Sequence, residues 1–374
     1  MSPYDYTPIL KLKMGEVTAL NSLNEDQKER LLPVFEVVFS GPRKDAAKKD
    51  RDARLTSIVD KFLTQKLPEF PNWLYKARGR HPFILDFNLI YVESAQETAL
   101  EHLLSKCSEN QQNVIVSVNL ADSDEYKTLV YGYLKKYGFG LCIRVSRTDL
   151  GNVAKLDQEL ANIVANSGLS MSQIDLLIDI KEENDDQKYT EYFNASQQIS
   201  TIQDWRNLIF ANGAFPESMG IFKSGKEQDQ SRTDWIRFNA AIANEDVHRK
   251  PIYSDYSTRY PIYDPESERH SPSPTIKYTT ESNWRIMKGA GYDYGHYFVY
   301  SLALVSGSTY YGVDHCYGDK VIKEKADKCQ NYLEKRAKKE GKLRAKGAGT
   351  PEEWIGVTVA HHTVVTLDQL SSRS

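Results

Sequence analysis

The sequence predicts an α/β fold, a (β/α)8 TIM-like barrel with a C-terminal α+β extension packed on it. First, short apolar runs that end in a polar residue recur eight times before residue 257. Second, each run is followed by the apolar spacing of a helix, as in alternating strand and helix units. Units of this kind spanning about 260 residues match the size of such a barrel. No Gly-x-Gly-x-x-Gly turn follows the first strand, and an open doubly wound sheet remains the alternative fold.

The clearest apolar run is Pro82-Phe83-Ile84-Leu85-Asp86-Phe87-Asn88, which ends in a carboxylate and an amide. Such runs are typical of buried parallel strands that end at a functional face. The predicted strands cover residues 8–13, 34–39, 82–90, 113–120, 141–145, 174–180, 207–213 and 251–256. The predicted helices cover residues 16–32, 53–66, 94–107, 129–134, 154–165, 186–200 and 231–245.

The sequence pattern changes after residue 256. Residues 257–283 are rich in Ser, Thr, Pro, Tyr and charged residues, which favours a long surface loop or a crossing strand pair. The predicted domains are therefore a barrel at 1–256 and an extension at 257–374 that completes or covers the barrel mouth. The predicted elements of the extension are an ordered segment from 284, a helix or strand at 296–305, a charged helix at 320–342 and a final strand at 354–365.

Composition indicates a globular protein without a strong overall field. The chain has 374 residues, with 48 basic and 51 acidic side chains, so its net charge gives no support for nucleic-acid binding. Its four cysteines form no Cys-x-x-Cys pair, which indicates reduced packing residues in a cytosolic protein. We find no signal segment and no run of about 18 apolar residues, which argues against export and membrane insertion. We therefore expect a cytoplasmic location.

Polar residues at the ends of the predicted strands should meet at one mouth of the barrel. We predict Lys11, Glu36, Asp86 and Asp179 as catalytic residues. Glu36, Asp86 and Asp179 are suited to hold a divalent cation such as magnesium, completed by water. The alternative is that these acids and the nearby bases simply pair with one another. The predicted substrate-binding residues at the mouth are Lys13, Asn88, Asn119, Arg144, Lys181, Asn212 and Asp255.

Short motifs near both ends of the chain resemble the bacteriophage beta protein family, which occurs in phages and bacteria. The resemblance covers nearly the whole chain and implies a cytoplasmic role, because some bacterial members lie beside predicted phage-defence genes. In the family pattern a serine and an aromatic residue precede Gly-Asp, whereas here Cys316 and Tyr317 precede Gly318 and Asp319. The resemblance therefore includes Asp319, whereas the serine hydroxyl of the family pattern has no counterpart in this sequence. The motifs are Pro8-Ile9-Leu10-Lys11-Leu12-Lys13, Gly15-Glu16, Tyr317-Gly318-Asp319 with Ile322, and Trp354 with His361-His362.

Three residues of the extension are further candidates: His361 as a catalytic residue, and Arg285 and Asp319 as substrate-binding residues. His361 near Asp319 is a candidate general acid or base, because an imidazole titrates close to cellular pH. The alternative is a histidine that only hydrogen-bonds a loop. His361 and His362 would point to opposite faces of the predicted strand, which argues against a two-histidine metal site. Arg285 is a candidate anion contact or, alternatively, a stacked surface arginine.

Region 253–300 is rich in tyrosine and contains Arg259, Arg269 and Lys277. Such a region can bind single-stranded nucleic acid or a peptide, although tyrosine also fills half-wet interfaces inside proteins. The basic segment 333–346 is a second candidate for contacts with nucleic acid and is equally typical of a solvated helix end. The charge run 43–54 is most simply a solvated loop and helix start, with phosphate contact as the alternative.

Two functions therefore remain open. The first is a barrel enzyme, with hydrolases as one class, that acts on a small anionic or phosphate-containing substrate such as a nucleotide or a nucleic-acid end. The second is a non-catalytic recognition protein that binds a phage or host partner through the mouth or through the tyrosine-rich region.

Overall fold

The computed structural model describes residues 3–39, 48–264, 273–291, 293–338 and 345–372. Several features predicted above lie outside this part of the chain. They are residues 43–47 of the charge run, Arg269, Tyr292 and residues 339–344 of the basic segment.

Eight parallel strands form a barrel, which confirms the predicted fold class. Each barrel strand pairs with the next barrel strand along the chain. Two backbone hydrogen bonds join the last strand to the first, from Thr7 N to Tyr253 O at 2.9 Å and from Ile9 N to Asp255 O at 2.8 Å. The strands are β1 Ile9–Lys11, β2 Val34–Glu36, β3 Phe83–Asp86, β4 Val114–Asn119, β5 Gly140–Ser146, β6 Ile174–Asp179, β7 Asn207–Ala211 and β9 Ile252–Ser254, while β8 Glu227–Ser231 belongs to a second sheet.

Helices cover the outside of the barrel, with two departures from the predicted pattern. The predicted helix at 16–32 is two helices, because the Asn24 side chain caps the second one by accepting from Gln27 N at 2.9 Å. Helix α4, which carries Pro71 in its first turn, was not predicted. The helices are α1 Met14–Asn21, α2 Glu25–Glu29, α3 Lys48–Lys61, α4 Phe70–Arg78, α5 Glu93–Glu109, α6 Asp124–Tyr137, α7 Val153–Ser167, α8 Asp186–Gln197 and α9 Thr233–Ile242.

The barrel lumen has a lower apolar layer and an upper polar layer. Residues i and i+2 of a strand share a face, so each strand contributes one residue to each layer. The lower layer consists of Ile9, Val34, Ile84, Ile115, Cys142, Leu177, Ile209 and Ile252, which form one buried apolar cluster. The upper layer, two positions later, consists of Lys11, Glu36, Asp86, Ser117, Arg144, Asp179, Ala211 and Ser254.

The extension contains a small antiparallel sheet and three helices. Its sheet has the order β10-β11-β8, so it also takes in the polar strand β8 from the β7–α9 connection, which was not predicted. Strands β10 and β11 show that the crossing strand pair was the better of the two interpretations of 257–283. The elements are β10 Thr275–Thr279, β11 Asn283–Lys288, α10 His296–Ser306, α11 Tyr317–Lys338 and α12 Pro351–Ser371.

The predicted final strand at 354–365 is wrong, because this segment lies inside helix α12. Its β-branched residues favour a strand locally, but the run of 21 helical residues is far longer than a usual strand. Thr350 caps the helix by accepting from Glu353 N at 3.2 Å, and Pro351 occupies its first turn. The helix is apolar on most sides because the barrel core covers one side and the extension core the other.

Helix α12 takes the place of the eighth barrel helix. A Cβ on Gly15 of α1 would lie 2.8 Å from Ile355 Cγ2, so the two helices meet where glycine permits close approach. On its other side, Thr366 Oγ1 accepts from Arg232 Nη2, just before α9, at 3.2 Å. The extension is thus inserted between the last barrel strand and the last barrel helix. The domain division at residue 256 stays a prediction.

Candidate functional site

The five charged residues of the upper layer and one neighbouring lysine form a connected set of ion pairs, here called the mouth network. Arg144 lies at its centre. Its Nη1 donates to Asp86 Oδ2 at 2.7 Å, and its Nη2 donates to Glu36 Oε1 at 2.9 Å and to Asp179 Oδ2 at 2.7 Å. The Lys11 ammonium donates to Glu36. The mouth network consists of Lys11, Glu36, Asp86, Arg144, Asp179 and Lys181.

The backbone fixes the aspartates at the strand ends. Asp86 Oδ1 accepts from Asn88 N at 2.9 Å, and Asp179 Oδ1 accepts from Lys181 N at 3.0 Å. In both residues the other oxygen is left to face Arg144. Lys181 has φ 56°, a left-handed conformation that is unusual outside glycine and often found at functional sites. The carboxylates are therefore held in place before any ligand binds.

The mouth network is buried and its charges balance. Among its side chains, Lys181 is 34% exposed and Arg144 only 7%. Burial alone would raise the pKa of Asp179, but Lys181 and Arg144 lower that pKa to about 2. The pKa of Glu36 is likewise held well below its usual range, against the effect of burial, by Lys11, Lys181 and Arg144. Three basic side chains thus face three carboxyl groups.

The three carboxylates predicted to hold a divalent cation such as magnesium bind a guanidinium instead. Arg144 contacts Glu36, Asp86 and Asp179 at 2.7–2.9 Å, so the positive charge between them comes from the chain itself. In this arrangement the carboxylates do not fit a metal ion. The pairing that the sequence left as an alternative is what the structure contains.

Two tyrosine rings and a third lysine, Lys13, lie near the mouth network. Tyr256 donates through its hydroxyl to Asp179 Oδ2 at 2.6 Å. The Tyr263 ring centroid lies 5.3 Å from Lys11 Nζ and 5.4 Å from Lys13 Nζ. Burial, with Arg259 nearby, lowers the pKa of Lys13 to about 7. The first residues of the extension thus lie over the barrel mouth.

Four buried polar atoms at the mouth hydrogen-bond no other atom in the described part of the chain. Buried polar groups normally have a partner, so atoms of this kind mark places for water or a ligand. Each belongs to a residue at the end of a barrel strand or just beyond it. The atoms are Asn88 Nδ2, Ser117 Oγ, Asn212 Oδ1 and Ser257 Oγ.

A second polar group, here called the side cluster, consists of His315, Cys316, Asp319 and His361. It lies between α11, α12 and β10, on the side of the barrel. Three donors point at the single oxygen Asp319 Oδ2: His315 Nδ1 at 2.8 Å, His361 Nδ1 at 2.9 Å and Cys316 Sγ at 3.0 Å. The four ligand atoms lie within 4.8 Å of one another.

Close helix packing places the side cluster. His315 and Cys316 directly precede α11, and Asp319 lies in its first turn, four and three residues after them, so the three side chains come together. A Cβ on Gly318 would lie 2.4 Å from Val357 O of α12, so only glycine allows this approach. Asp319 raises the pKa of His361 to about 9 and that of His315 to about 11, in both cases against the effect of burial. These contacts hold the pKa of Asp319 well below its usual range.

The family model described as "Beta protein" matches residues 6–367. The chain belongs to the Beta protein family. This confirms the resemblance drawn from the short motifs, and the structure assigns two of their residues to contacts, Gly318 to the α11–α12 approach and Asp319 to the side cluster.

Solved structures similar to this Beta protein family member are distant. The catalytic module of a family 98 glycoside hydrolase from Streptococcus pneumoniae TIGR4, in complex with the LewisY pentasaccharide, has 8% identity and a TM-score of 0.29, covering 73% of this chain and 49% of that one. The chain thus spans about half the length of that module. The enoyl-acyl carrier protein reductase FabMG has 9% identity and a TM-score of 0.15, covering 59% of this chain and 62% of that one. A search of curated proteins gives no match.

The remaining predicted site residues lie around the mouth network or away from it. Asn119 N donates to Asp122 Oδ2 at 2.7 Å, and Asn212 Nδ2 donates to Lys181 O at 2.8 Å. Arg285 is not at the mouth, because it pairs with Asp229 at 3.1 Å in the small sheet. That pairing satisfies the guanidinium without an anionic ligand.

The two adjacent histidines serve different partners, although they lie on a helix and not on the predicted strand. His361, predicted near Asp319, contacts Asp319 in the side cluster and not at the barrel mouth. His362 Nε2 contacts Asp255 Oδ2 at 2.8 Å. Asp255 also accepts from Tyr6 at 2.5 Å and from Tyr253 at 3.0 Å, so it forms a separate buried group beside the barrel closure.

The tyrosines of the tyrosine-rich region that the structure describes form no broad exposed aromatic patch. Five of them are buried and three are half-buried. Binding of nucleic acid or a peptide through region 253–300 stays a prediction. The buried residues are Tyr253, Tyr256, Tyr278, Tyr297 and Tyr300, and the half-buried ones are Tyr260, Tyr263 and Tyr294.

Sequence reasoning missed three residues of these sites. Tyr256 was predicted only as part of the tyrosine-rich region, although it is the last residue of the predicted strand 251–256. His315 and Cys316 were not considered together with Asp319. Their spacing, one turn apart before a predicted helix, is a metal-ligand pattern that could have revealed them.

No helix in the described ranges is both long enough and apolar enough to cross a membrane.

Proposed function

We propose that the protein is a barrel enzyme that binds a small anionic substrate at the mouth network. The observation that supports this most is the change from an apolar to a charged layer two residues further along the same strands. Burying a charged group costs on the order of several kcal/mol per ion. A protein that has apolar residues of similar volume in place of a buried ion pair is often at least as stable. A layer that served stability alone would have no need of these charges.

Lys181 is proposed as the first contact of the anion. It is the most exposed side chain of the mouth network, and its Nζ lies 3.1 Å from Asp179 and 3.7 Å from Glu36. Its backbone strain fixes this position. An incoming phosphate or carboxylate competes with Asp179 for the ammonium group and can accept a hydrogen bond from the unpartnered Asn88 Nδ2.

Lys11 is proposed as the group that moves a proton. Burial lowers the pKa of Lys11, and Glu36 accepts its hydrogen bond and orients it. A lysine whose pKa moves towards neutrality is suited to general acid–base catalysis. Hydrolysis of a phosphate-containing substrate, such as a nucleotide, is the reaction class we propose.

The test compares Lys181→Met with Lys188→Met, an exposed lysine of α8 that serves as the matched control. Binding of inorganic phosphate is measured by calorimetry, and turnover of a mixture of nucleotides and sugar phosphates is followed by mass spectrometry. We expect Lys181→Met to weaken binding or turnover at least about tenfold, equivalent to about 1.4 kcal/mol, with the control unchanged. Equal behaviour of both variants would contradict the proposal.

A recognition protein that uses the mouth without chemistry is the second candidate, favoured by the complete internal pairing of the network. It predicts phosphate binding without turnover of any substrate in the mixture.

A cytoplasmic role in the relation between phage and bacterium is proposed from the family membership. The free cysteines Cys107, Cys142, Cys316 and Cys329 support a reducing compartment. Plating efficiency of a phage panel on cells expressing the wild type, Lys181→Met or Lys188→Met tests this role. Identical plating with and without the wild-type protein would contradict it.

A further inference from the structure

The side cluster has an outer set of partners that accept hydrogen bonds. His361 Nε2 lies 2.8 Å from the backbone carbonyl oxygen of Thr279. His315 Nε2 lies 3.0 Å from Asp368 Oδ2. A carbonyl or carboxylate oxygen can only accept, so each Nε2 carries its hydrogen, and each ring turns the lone pair of Nδ1 inwards once Nδ1 gives up the proton it shares with Asp319. Both inward nitrogens face Asp319 and Cys316.

This arrangement is the one that metal-binding histidines show in proteins, where the outer ring nitrogen donates to a carboxylate or a backbone carbonyl. The third ligand has an outer partner as well, because Tyr278 donates its hydroxyl to Asp319 Oδ1 at 2.7 Å. Asp319 Oδ2 is left facing the other three ligand atoms. Three donors crowded on one oxygen mark the place of a missing cation.

We propose that His315, Cys316, Asp319 and His361 bind one zinc ion. Two imidazole nitrogens, one thiolate and one carboxylate oxygen make a tetrahedral set that zinc favours, and a thiolate ligand disfavours magnesium or calcium. With two neutral histidines, the thiolate and the carboxylate balance the charge of Zn²⁺. The thiol proton of Cys316 and the Nδ1 protons of the two histidines leave to solvent on binding.

The spacing of the ligand atoms suits such a site. Zinc–ligand bonds of about 2.0–2.3 Å place tetrahedral ligand atoms about 3.3–3.7 Å apart. Asp319 Oδ2 lies 2.8, 2.9 and 3.0 Å from its three donors, and Cys316 Sγ lies 3.9 Å from His361 Nδ1. Each of these distances therefore lies within about 0.6 Å of the expected range.

The zinc would have a structural role. Four protein ligands close the coordination sphere, as in structural sites. Three ligands stand at the start of α11 and the fourth on α12, so the ion fastens the extension to the last barrel helix. His315 and Cys316 also line a surface cleft of ≈ 290 Å³, which gives the ion a path from solvent.

A cysteine–histidine–aspartate catalytic triad is excluded by the positions of the ring nitrogens. In a triad the acid and the nucleophile contact opposite nitrogens of the histidine. Here Asp319 and Cys316 both face Nδ1 of His361, while Nε2 contacts Thr279 O. The histidine has no nitrogen left to relay a proton between them.

The test uses the full chain purified without a histidine tag. Metal analysis by mass spectrometry should find about one zinc per chain in the wild type, and cobalt substitution should give a thiolate-to-cobalt charge-transfer band. Cys316→Ser should lose that band. Cys329→Ser, a buried cysteine on the same helix, is the matched control and should keep it.

A second variant keeps the test independent of folding. Asp368 is 57% exposed, so Asp368→Asn should fold normally while losing the partner of His315. Loss of such an outer partner weakens metal binding about 10–100-fold, measured by competition with a chelating dye. A wild type that takes up no zinc, a charge-transfer band that survives Cys316→Ser, or unchanged zinc affinity in Asp368→Asn would overturn the proposal.

Discussion

The mouth network and the side cluster differ in how their charges are satisfied. In the mouth network, Arg144 supplies a cation to each of Glu36, Asp86 and Asp179. In the side cluster, three donors share one oxygen of Asp319, and no side chain of the cluster offers a second carboxylate. The first group is complete within the chain, whereas the second has the geometry of a site that awaits an ion. Acidic residues at a barrel mouth therefore predict a metal site only if no basic side chain of the chain itself pairs with them.

The largest expected effect concerns the centre of the mouth network. Arg144→Met leaves Asp86 without its cation and removes one of the cations that Glu36 and Asp179 contact, and breaking one buried ion pair already costs about 3–5 kcal/mol. We expect the free energy of unfolding to fall by at least about this amount, measured by urea unfolding followed by circular dichroism. Arg147→Met, with a side chain that is 39% exposed, is the control and should cost less than about 1 kcal/mol. Similar losses of unfolding free energy in both variants would show that pairing with Arg144 does not stabilise the buried carboxylates.

Removal of the proposed zinc should come next in size. A ligand present at 1,000 times its dissociation constant stabilises the folded state by about 4.1 kcal/mol. A strong chelator should therefore lower the melting temperature of the wild type and leave that of Cys316→Ser almost unchanged. Scanning calorimetry with and without chelator measures both. If the chelator lowered the melting temperature of both proteins equally, its effect would not come from zinc in the side cluster, and the prediction would be contradicted.

A smaller effect is expected where α11 meets α12. Gly318→Ala places a Cβ 2.4 Å from Val357 O, and overpacking of this kind costs about 1–3 kcal/mol. Gly132→Ala on α6 is the control, because its Cβ would meet no atom within 4 Å and alanine favours the helix by about 0.5–1 kcal/mol. Chemical unfolding of both variants measures the difference. A Gly318→Ala variant as stable as the wild type would contradict the close approach.

The smallest effect expected is a pH dependence from Asp179. Its pKa is lowered from 3.8 to about 2 in the folded protein, so the unfolded chain takes up this proton first as the pH falls. The stabilisation is present above about pH 4 and is lost as the pH falls towards 2. Asp179→Asn should therefore lose less stability between pH 5 and pH 3 than the wild type or the exposed control Asp246→Asn. Parallel losses in all three proteins would contradict the lowered pKa.

The barrel could be predicted from the sequence because its strands carry local signals. The step from Ile84 to Asp86 is two residues on one strand, and the same step from apolar to charged occurs at Val34 to Glu36 and at Leu177 to Asp179. Alternation along a strand places both residues in the lumen without any knowledge of the neighbours. The sequence does not say which residues face each other across the lumen, so the central place of Arg144 could not be predicted.

The final helix and the side cluster depend on contacts far apart in sequence. The β-branched run around Val357 favours a strand, and only burial between two cores makes it a helix. His361 and Asp319 are 42 positions apart, and Asp319 reaches His361 only because Gly318 brings α11 against α12. The family motifs, which include both residues, suggested that His361 and Asp319 lie near each other, but the sequence could not show that they meet between two helices beside the barrel.

Anomalous X-ray scattering at the zinc edge, from crystals of the untagged full chain, tests the contrast between the two groups most directly. We predict one anomalous peak between His315, Cys316, Asp319 and His361, and none among Glu36, Asp86 and Asp179, where Arg144 should occupy the centre. The absence of a peak in the side cluster, or a peak among the mouth carboxylates, would contradict this account.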